Sequence, residues 1–235
     1  LSPAPGSAGA PPSFGATPPP GYVPFGSSGP VQLVGTSGLR VATIVLFWAV
    51  VASNVGVAIA AASRRSTWDD FVDGRATIFD IDDADNTIAG IAVLNLVLAI
   101  AAGIVLSIWS LRAARNLQAV GGQGVKPGWA CGGWYIPIGQ LWVPWGHLRR
   151  GHRSIQGDTR MLSWWQGLWI GSTVLGFMLR NALDVDGFAS DDSISSQLGQ
   201  QTLYAGFQSL ILAAAAYTAM RSMRSIEASV AAKAS

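Results

Sequence analysis

PGWACGGWYIPIGQLWVPWGHLRRGHR, residues 127–153, is the stretch on which the fold turns. It gathers four of the chain's ten tryptophans (Trp129, Trp134, Trp142, Trp145) into one apolar run with a basic end. Residues 129–148 carry no charge, and on length alone such a run reaches the roughly 20 residues of a membrane span. Two features oppose that reading. Pro137 and Pro144 each remove a backbone donor, and Gly128, Gly132, Gly133, Gly139 and Gly146 weaken a helix further. A crossing here would also carry Arg149, Arg150, Arg153 and Arg160 outward, against the retention of basic residues on the cytoplasmic side. The stretch therefore reads as a re-entrant or interfacial segment. Tryptophan and tyrosine suit the headgroup layer, where an apolar ring and a polar N–H or O–H are both satisfied. Non-helical backbone is tolerated at that depth only where protein buries it or water lines it. The segment is thus expected to pack on the mouth of a helical bundle.

Outward from this stretch the chain is apolar. Of 235 residues, 50% are hydrophobic and 12% charged, half the charge of a typical soluble domain at about 25%. Four long runs stand out: 39–62, with no charge between Arg40 and Arg64, then 87–110, 162–179 and 198–220, with none at all. Their Gly and Ala content suits close helix contacts in lipid. The expected fold class is an all-α membrane protein with four transmembrane helices, the Trp/Pro-rich segment 127–148 lying between spans two and three. Residues 1–38 are Pro, Gly, Ser and Ala with no charge. They bury too little apolar surface to offset the entropy of ordering, so a disordered tail is expected there. A short tail is expected at 226–235. No secretory signal pattern opens the sequence.

Charge orients the bundle. Residues 64–86 hold seven aspartates against three arginines, and Asp184, Asp186, Asp191 and Asp192 lie between the last two spans. The connection 111–161 instead carries Arg112, Arg115, Lys126, Arg149, Arg150, Arg153 and Arg160 against Asp158 alone. Basic flanks stay inside, which predicts a protein of the cell inner (plasma) membrane with both termini cytoplasmic and two acidic loops outside. The basic run after the tryptophans would meet anionic headgroups.

Inside the spans the notable side chains are amides. Asn54 lies eight residues before the outer end of span one and Asn95 eight residues after that of span two. Equal depth predicts a hydrogen bond between the two helices, with Gln208 and Ser172 at comparable depth in the other spans. A shared polar cavity is the alternative. No carboxylate or basic group stands at mid-span to mark an ion path.

The residues Arg112, Arg115, Asn116 and Leu117 after a span, then Pro127-Gly128-Trp129, Gly133-Trp134-Tyr135-Ile136-Pro137 and Leu141-Trp142 with Pro144, form a pattern. It resembles an actinobacterial membrane-protein family known only as domain of unknown function 4328. The resemblance covers about residues 40–225. The family's pattern implies Asn before the Leu-Trp pair and an acidic residue after the second proline, where this chain has Gln140 and Arg150. No activity comes with the resemblance, which implies architecture alone. The scarcity of lysine and abundance of Ala and Gly point the same way, to a GC-rich bacterial genome.

Catalytic chemistry finds little purchase. His147 and His152 stand five apart rather than at the i,i+4 spacing of a helical metal pair. The string Asp80, Asp82, Asp83, Asp85 lacks the Gly and Glu of a calcium loop. One cysteine, Cys131, excludes an internal disulfide. No cofactor, metal site, nucleic-acid partner or enzymatic activity is expected. The expected role is non-enzymatic, with membrane lipid and a protein partner (or a second copy) as its contacts. The residues expected to carry it are Trp129, Trp134, Pro137, Trp142, Pro144, Trp145, Arg149 and Arg150. Asn54 and Asn95 are the expected interhelical pair. The competing reading is a small transporter or channel gated by the re-entrant segment.

Overall fold

The computed structural model describes residues 32–182 and 191–235. All regular structure among them is helical. α1 (Ser37–Val72) and α2 (Ile78–Ala119) are joined by a five-residue turn. α3 (Pro127–Gly132) and α4 (Val143–Ser154) bracket two 3-10 turns, Gly133–Tyr135 and Gly139–Leu141. α5 (Arg160–Ala182) and α6 (Asp191–Ala234) follow. The tryptophan stretch is thus four short pieces and not one continuous helix, as its prolines and glycines dictate. α1 packs on both α2 and α6, and α5 packs on α6. Over the described residues, α2 and α5 share at most marginal contact.

Among the described residues, three helices are long and apolar enough to cross a membrane: α1, α2 and Ser193–Ala234 of α6. The expected third span, 162–179, lies within α5, which is not among them. Three tryptophans and Gln166 dilute the apolar character of its first half. The exposed surface of the long helices is itself apolar, with Val45, Ile59, Leu96, Ile100, Phe207 and Leu210 all outward. A water-facing bundle would carry charge there.

The helices outrun the expected spans. α1 and α2 contain 36 and 42 residues, about 54 and 63 Å at 1.5 Å per residue. Most of what reads as an acidic loop over 64–86 is helical. Arg64 forks onto Asp85 across the helix pair. A capping box starts α2: the Asp80 side chain accepts from the Thr77 backbone N–H at 2.7 Å. Hydropathy locates the apolar middle of such helices and is blind to polar turns beyond it. The expected tail 226–235 is likewise the last turns of α6, with Ile226 and Val230 in the core.

The expected tail 1–38 falls mostly outside the described residues, but its end is fixed. Asn116 on α2 clamps Val34 twice: Val34 N–H donates to Asn116 Oδ1 at 2.8 Å, and Asn116 Nδ2 donates to the Val34 carbonyl at 2.8 Å. Arg112 donates to the Gly35 carbonyl at 3.0 Å. Two residues of the family-like pattern thereby hold the entry to α1.

Candidate functional site: a tryptophan cap over an interhelical cavity

The short pieces between α2 and α5 fold into a cap on the end of the bundle where α1 begins and α6 ends. Its centre is a chain of edge-on rings. Trp134 meets Trp145 at 5.0 Å and Trp169 of α5 at 5.9 Å. Trp145 meets Trp165 of α5 at 4.3 Å, and Trp165 reaches Phe47 of α1 at 6.3 Å. Each such pair contributes about 0.5–1.5 kcal/mol beyond burial. The two buried indole donors of the cap itself are satisfied: Trp134 Nε1 donates to Ser110 Oγ and Trp145 Nε1 to the Gln140 carbonyl, each at 3.1 Å. Gly133 is required for the closeness, because a Cβ there would lie 2.8 Å from the Val143 side chain and 3.0 Å from Pro144.

The eight expected contact residues therefore divide. Trp134, Pro144 and Trp145 are buried core of the cap. Trp129 and Trp142 are 51% and 54% exposed, and with exposed Pro137 and Arg150 they form an outer rim joined by Tyr135 and Ile138. Tyr135 anchors that rim through a 2.7 Å hydrogen bond between its hydroxyl and Ser107. Arg149 is half-buried and donates to Gln166 Oε1 of α5, whose amide nitrogen donates to the Leu141 carbonyl at 2.9 Å. Gln166 therefore staples α5 to the cap.

Besides Gln166, three residues central to this end were not singled out from sequence. Glu227, the chain's one glutamate, lies on α6 with Oε2 2.9 Å from Arg40 Nε of α1. It also accepts from Trp109 Nε1 of α2 at 3.3 Å, so one carboxylate joins three helices. Trp165 and Trp169 are the others, and their i,i+4 spacing was the available signal. His152 is buried, its Nε2 3.1 Å from Ser229 Oγ of α6. Burial pushes its pKa below the ordinary histidine value, opposed by the Asp158 charge and the Ser225 backbone. His147 is lowered too, first by burial and then by Arg150 and Lys126, against a hydrogen bond to the Gly124 backbone carbonyl. Among the described residues no three His, Cys, Asp or Glu side chains group as a metal-ligand set.

Next to the ring chain, at mid-length of the helices, lies a cavity of about 310 Å³ lined by all four long helices. Asn54, Asn95, Ser172 and Gln208, matched by depth in the sequence, all line it. No hydrogen bond joins Asn54 to Asn95 among the described residues. Asn54 Nδ2 instead donates to the Val50 carbonyl of its own helix at 2.8 Å. Gln208 Nε2 donates to the Ser172 backbone carbonyl at 3.0 Å, linking α6 to α5. The depth matching brought the amides to one place, and the space between them is open.

The sequence profile of a family described as Domain of unknown function (DUF4328) matches residues 73–228. The match takes in the cap, α2, α5 and most of α6, and begins at Asp73, so α1 lies outside it where the resemblance had been expected to begin near residue 40. No curated protein and no solved structure matches the chain.

Proposed function

The chain belongs to the DUF4328 family, and from that premise we propose a four-span, non-enzymatic membrane protein that acts as an accessory or scaffold subunit for a protein partner. In this reading α5 is the fourth span, both termini and the cap face the cytoplasm at the cell membrane, and the cap's basic end sits among anionic headgroups. Arg150 and Arg153, both exposed, would each contribute about 1 kcal/mol near such a surface.

The observation that carries the reading is the division of the cap's aromatics. Burying Trp134 and Trp145 accounts for the cap's own stability. Trp129, Tyr135 and Trp142 are more than half exposed among the described residues, so most of each ring is left uncovered. Exposed tryptophan and tyrosine beside arginine are the residue types that dominate binding at protein interfaces and at headgroups.

The test is affinity purification of the full chain from its native membrane in mild detergent, with mass spectrometry of co-eluting proteins. A stoichiometric partner is expected, lost when Trp129 and Trp142 are both alanine while the thermal midpoint stays within a few degrees. A partner-free particle under all conditions would sink the accessory reading.

A further inference from the structure

The cavity beside the cap poses a separate question: what fills it. Its volume of about 310 Å³ is roughly twice that of an apolar void that admits one benzene, and it lies at the lower end of small-molecule sites. No lining residue is ionisable, so nothing there would neutralise a charged head at this depth.

Three polar atoms on lining side chains have no hydrogen-bond partner. Two are donors, the indole Nε1 of Trp165 and of Trp169, and one is an acceptor, Gln208 Oε1. All three are shut off from the cavity's free space as well as from bulk solvent, so an occupant reaches them only when the side chain turns toward it. Buried polar atoms are nearly always satisfied, by protein, water or ligand. The unmet set is matched by an oxygen that accepts from an indole and a hydroxyl that donates to an amide.

The way in is visible as well. Of the lining residues, Ala99 on α2 and Thr173 on α5 are the exposed ones. They stand on α2 and α5, which share at most marginal contact over the described residues. The mouth therefore opens sideways, onto the same belt that carries exposed Leu96 and Ile100. Such an opening favours a molecule arriving from the bilayer over one arriving from water.

We propose that this cavity binds a neutral molecule dissolved in the bilayer, an apolar body with a carbonyl or hydroxyl oxygen, admitted between α2 and α5. This chemistry has two sources: a flat ring compound or a glycerolipid. The experiment separates them. The full chain in nanodiscs is titrated with 1,4-naphthoquinone, with 1,2-dioctanoylglycerol, and with naphthalene and 2-naphthoate as controls, following thermal midpoint and stoichiometry. At least one oxygen-bearing neutral probe is expected to saturate at one per chain, and which one names the source. Naphthalene should bind about tenfold more weakly for want of the hydrogen bond, and charged 2-naphthoate should not saturate.

Gly103→Leu is the blocking variant. Gly103 lines the cavity, and a Cβ there meets nothing within 4 Å, so the new side chain fills space rather than forcing the backbone. A loss of affinity of about tenfold or more is expected. Gln208→Leu, close to the original in volume, is the second variant. It should weaken dioctanoylglycerol, which donates, and spare naphthoquinone, which only accepts. Partitioning of both oxygen-bearing probes without saturation, indifferent to both variants, would mean that water alone fills the cavity and would overturn the proposal. Equal saturation by naphthalene would overturn the oxygen requirement.

Discussion

Trp142 and Trp145 stand three residues apart in a segment of uniform composition, and the fold treats them oppositely. Trp145 is fully buried between Trp134 and Trp165, and Trp142 is 54% exposed. Trp145→Ala is expected to lower the unfolding free energy by about 3–5 kcal/mol. Trp142→Ala should cost less than about 1 kcal/mol. Unfolding of both variants in detergent, followed by tryptophan emission, checks the contrast, and equal losses would refute the division of the cap into core and rim. The sequence shows that these rings belong together, because their density is visible. It does not show which are buried, since the 3-10 turns at Gly133–Tyr135 and Gly139–Leu141 break the helical period that would sort them.

The buried histidines add a pH dependence with a definite sign. His152 has a folded pKa below its ordinary value, so the unfolded chain binds the extra proton. The associated stability is fully present above the unfolded value of about 6.5 and is lost as pH falls from there toward the folded pKa. His147 adds the same sign in the same window. Asp158, held low first by the Arg160 backbone N–H, loses its contribution only as pH falls below the usual carboxylate range, a separate window. The thermal midpoint should therefore fall between about pH 7.5 and 5.5, less steeply in His152→Gln. An identical slope in that variant would remove His152 from the account.

At the scale of elements, hydropathy placed the apolar middle of α1, α2 and α6 and missed their ends. Polar turns are held by side chains meeting across helices, such as Arg64 with Asp85, or by capping, as at Thr77 with Asp80. Neither leaves a hydrophobic period to read. The segment entering α1 shows the same limit. Residues 32–36 look like the rest of the Pro/Gly-rich tail, yet Asn116 and Arg112 tie down Val34 and Gly35 from α2. Asn116→Ala removes both Val34 hydrogen bonds at a cost of about 1–3 kcal/mol locally. Limited proteolysis should then cut within 32–36 several-fold faster while α2 stays intact. An unchanged cutting rate would mean that the clamp does not restrain this segment.

For the molecule as a whole, the proposed orientation is checked by one thiol. Cys131, half-buried in α3 of the cap, is the single cysteine. An impermeant maleimide is expected to spare it in intact cells and to label it after permeabilisation. Labelling from outside would invert the topology.

The meeting of Arg40 with Glu227 has a consequence for how the chain is made. α1 emerges first among the described helices, and its partner α6 comes after every other one, with the two salt-bridging residues at the far ends of that order. The α1–α2 hairpin must therefore wait, half-assembled, through synthesis of the cap and α5. Arg40 lacks Glu227 in the meantime, and its side of α1 stays open to lipid or to a chaperone. Closure is then expected to be a late event, since α6 is made after every other described helix. A chain stopped before Ile226 would leave the earlier helices without the residues that end the wait.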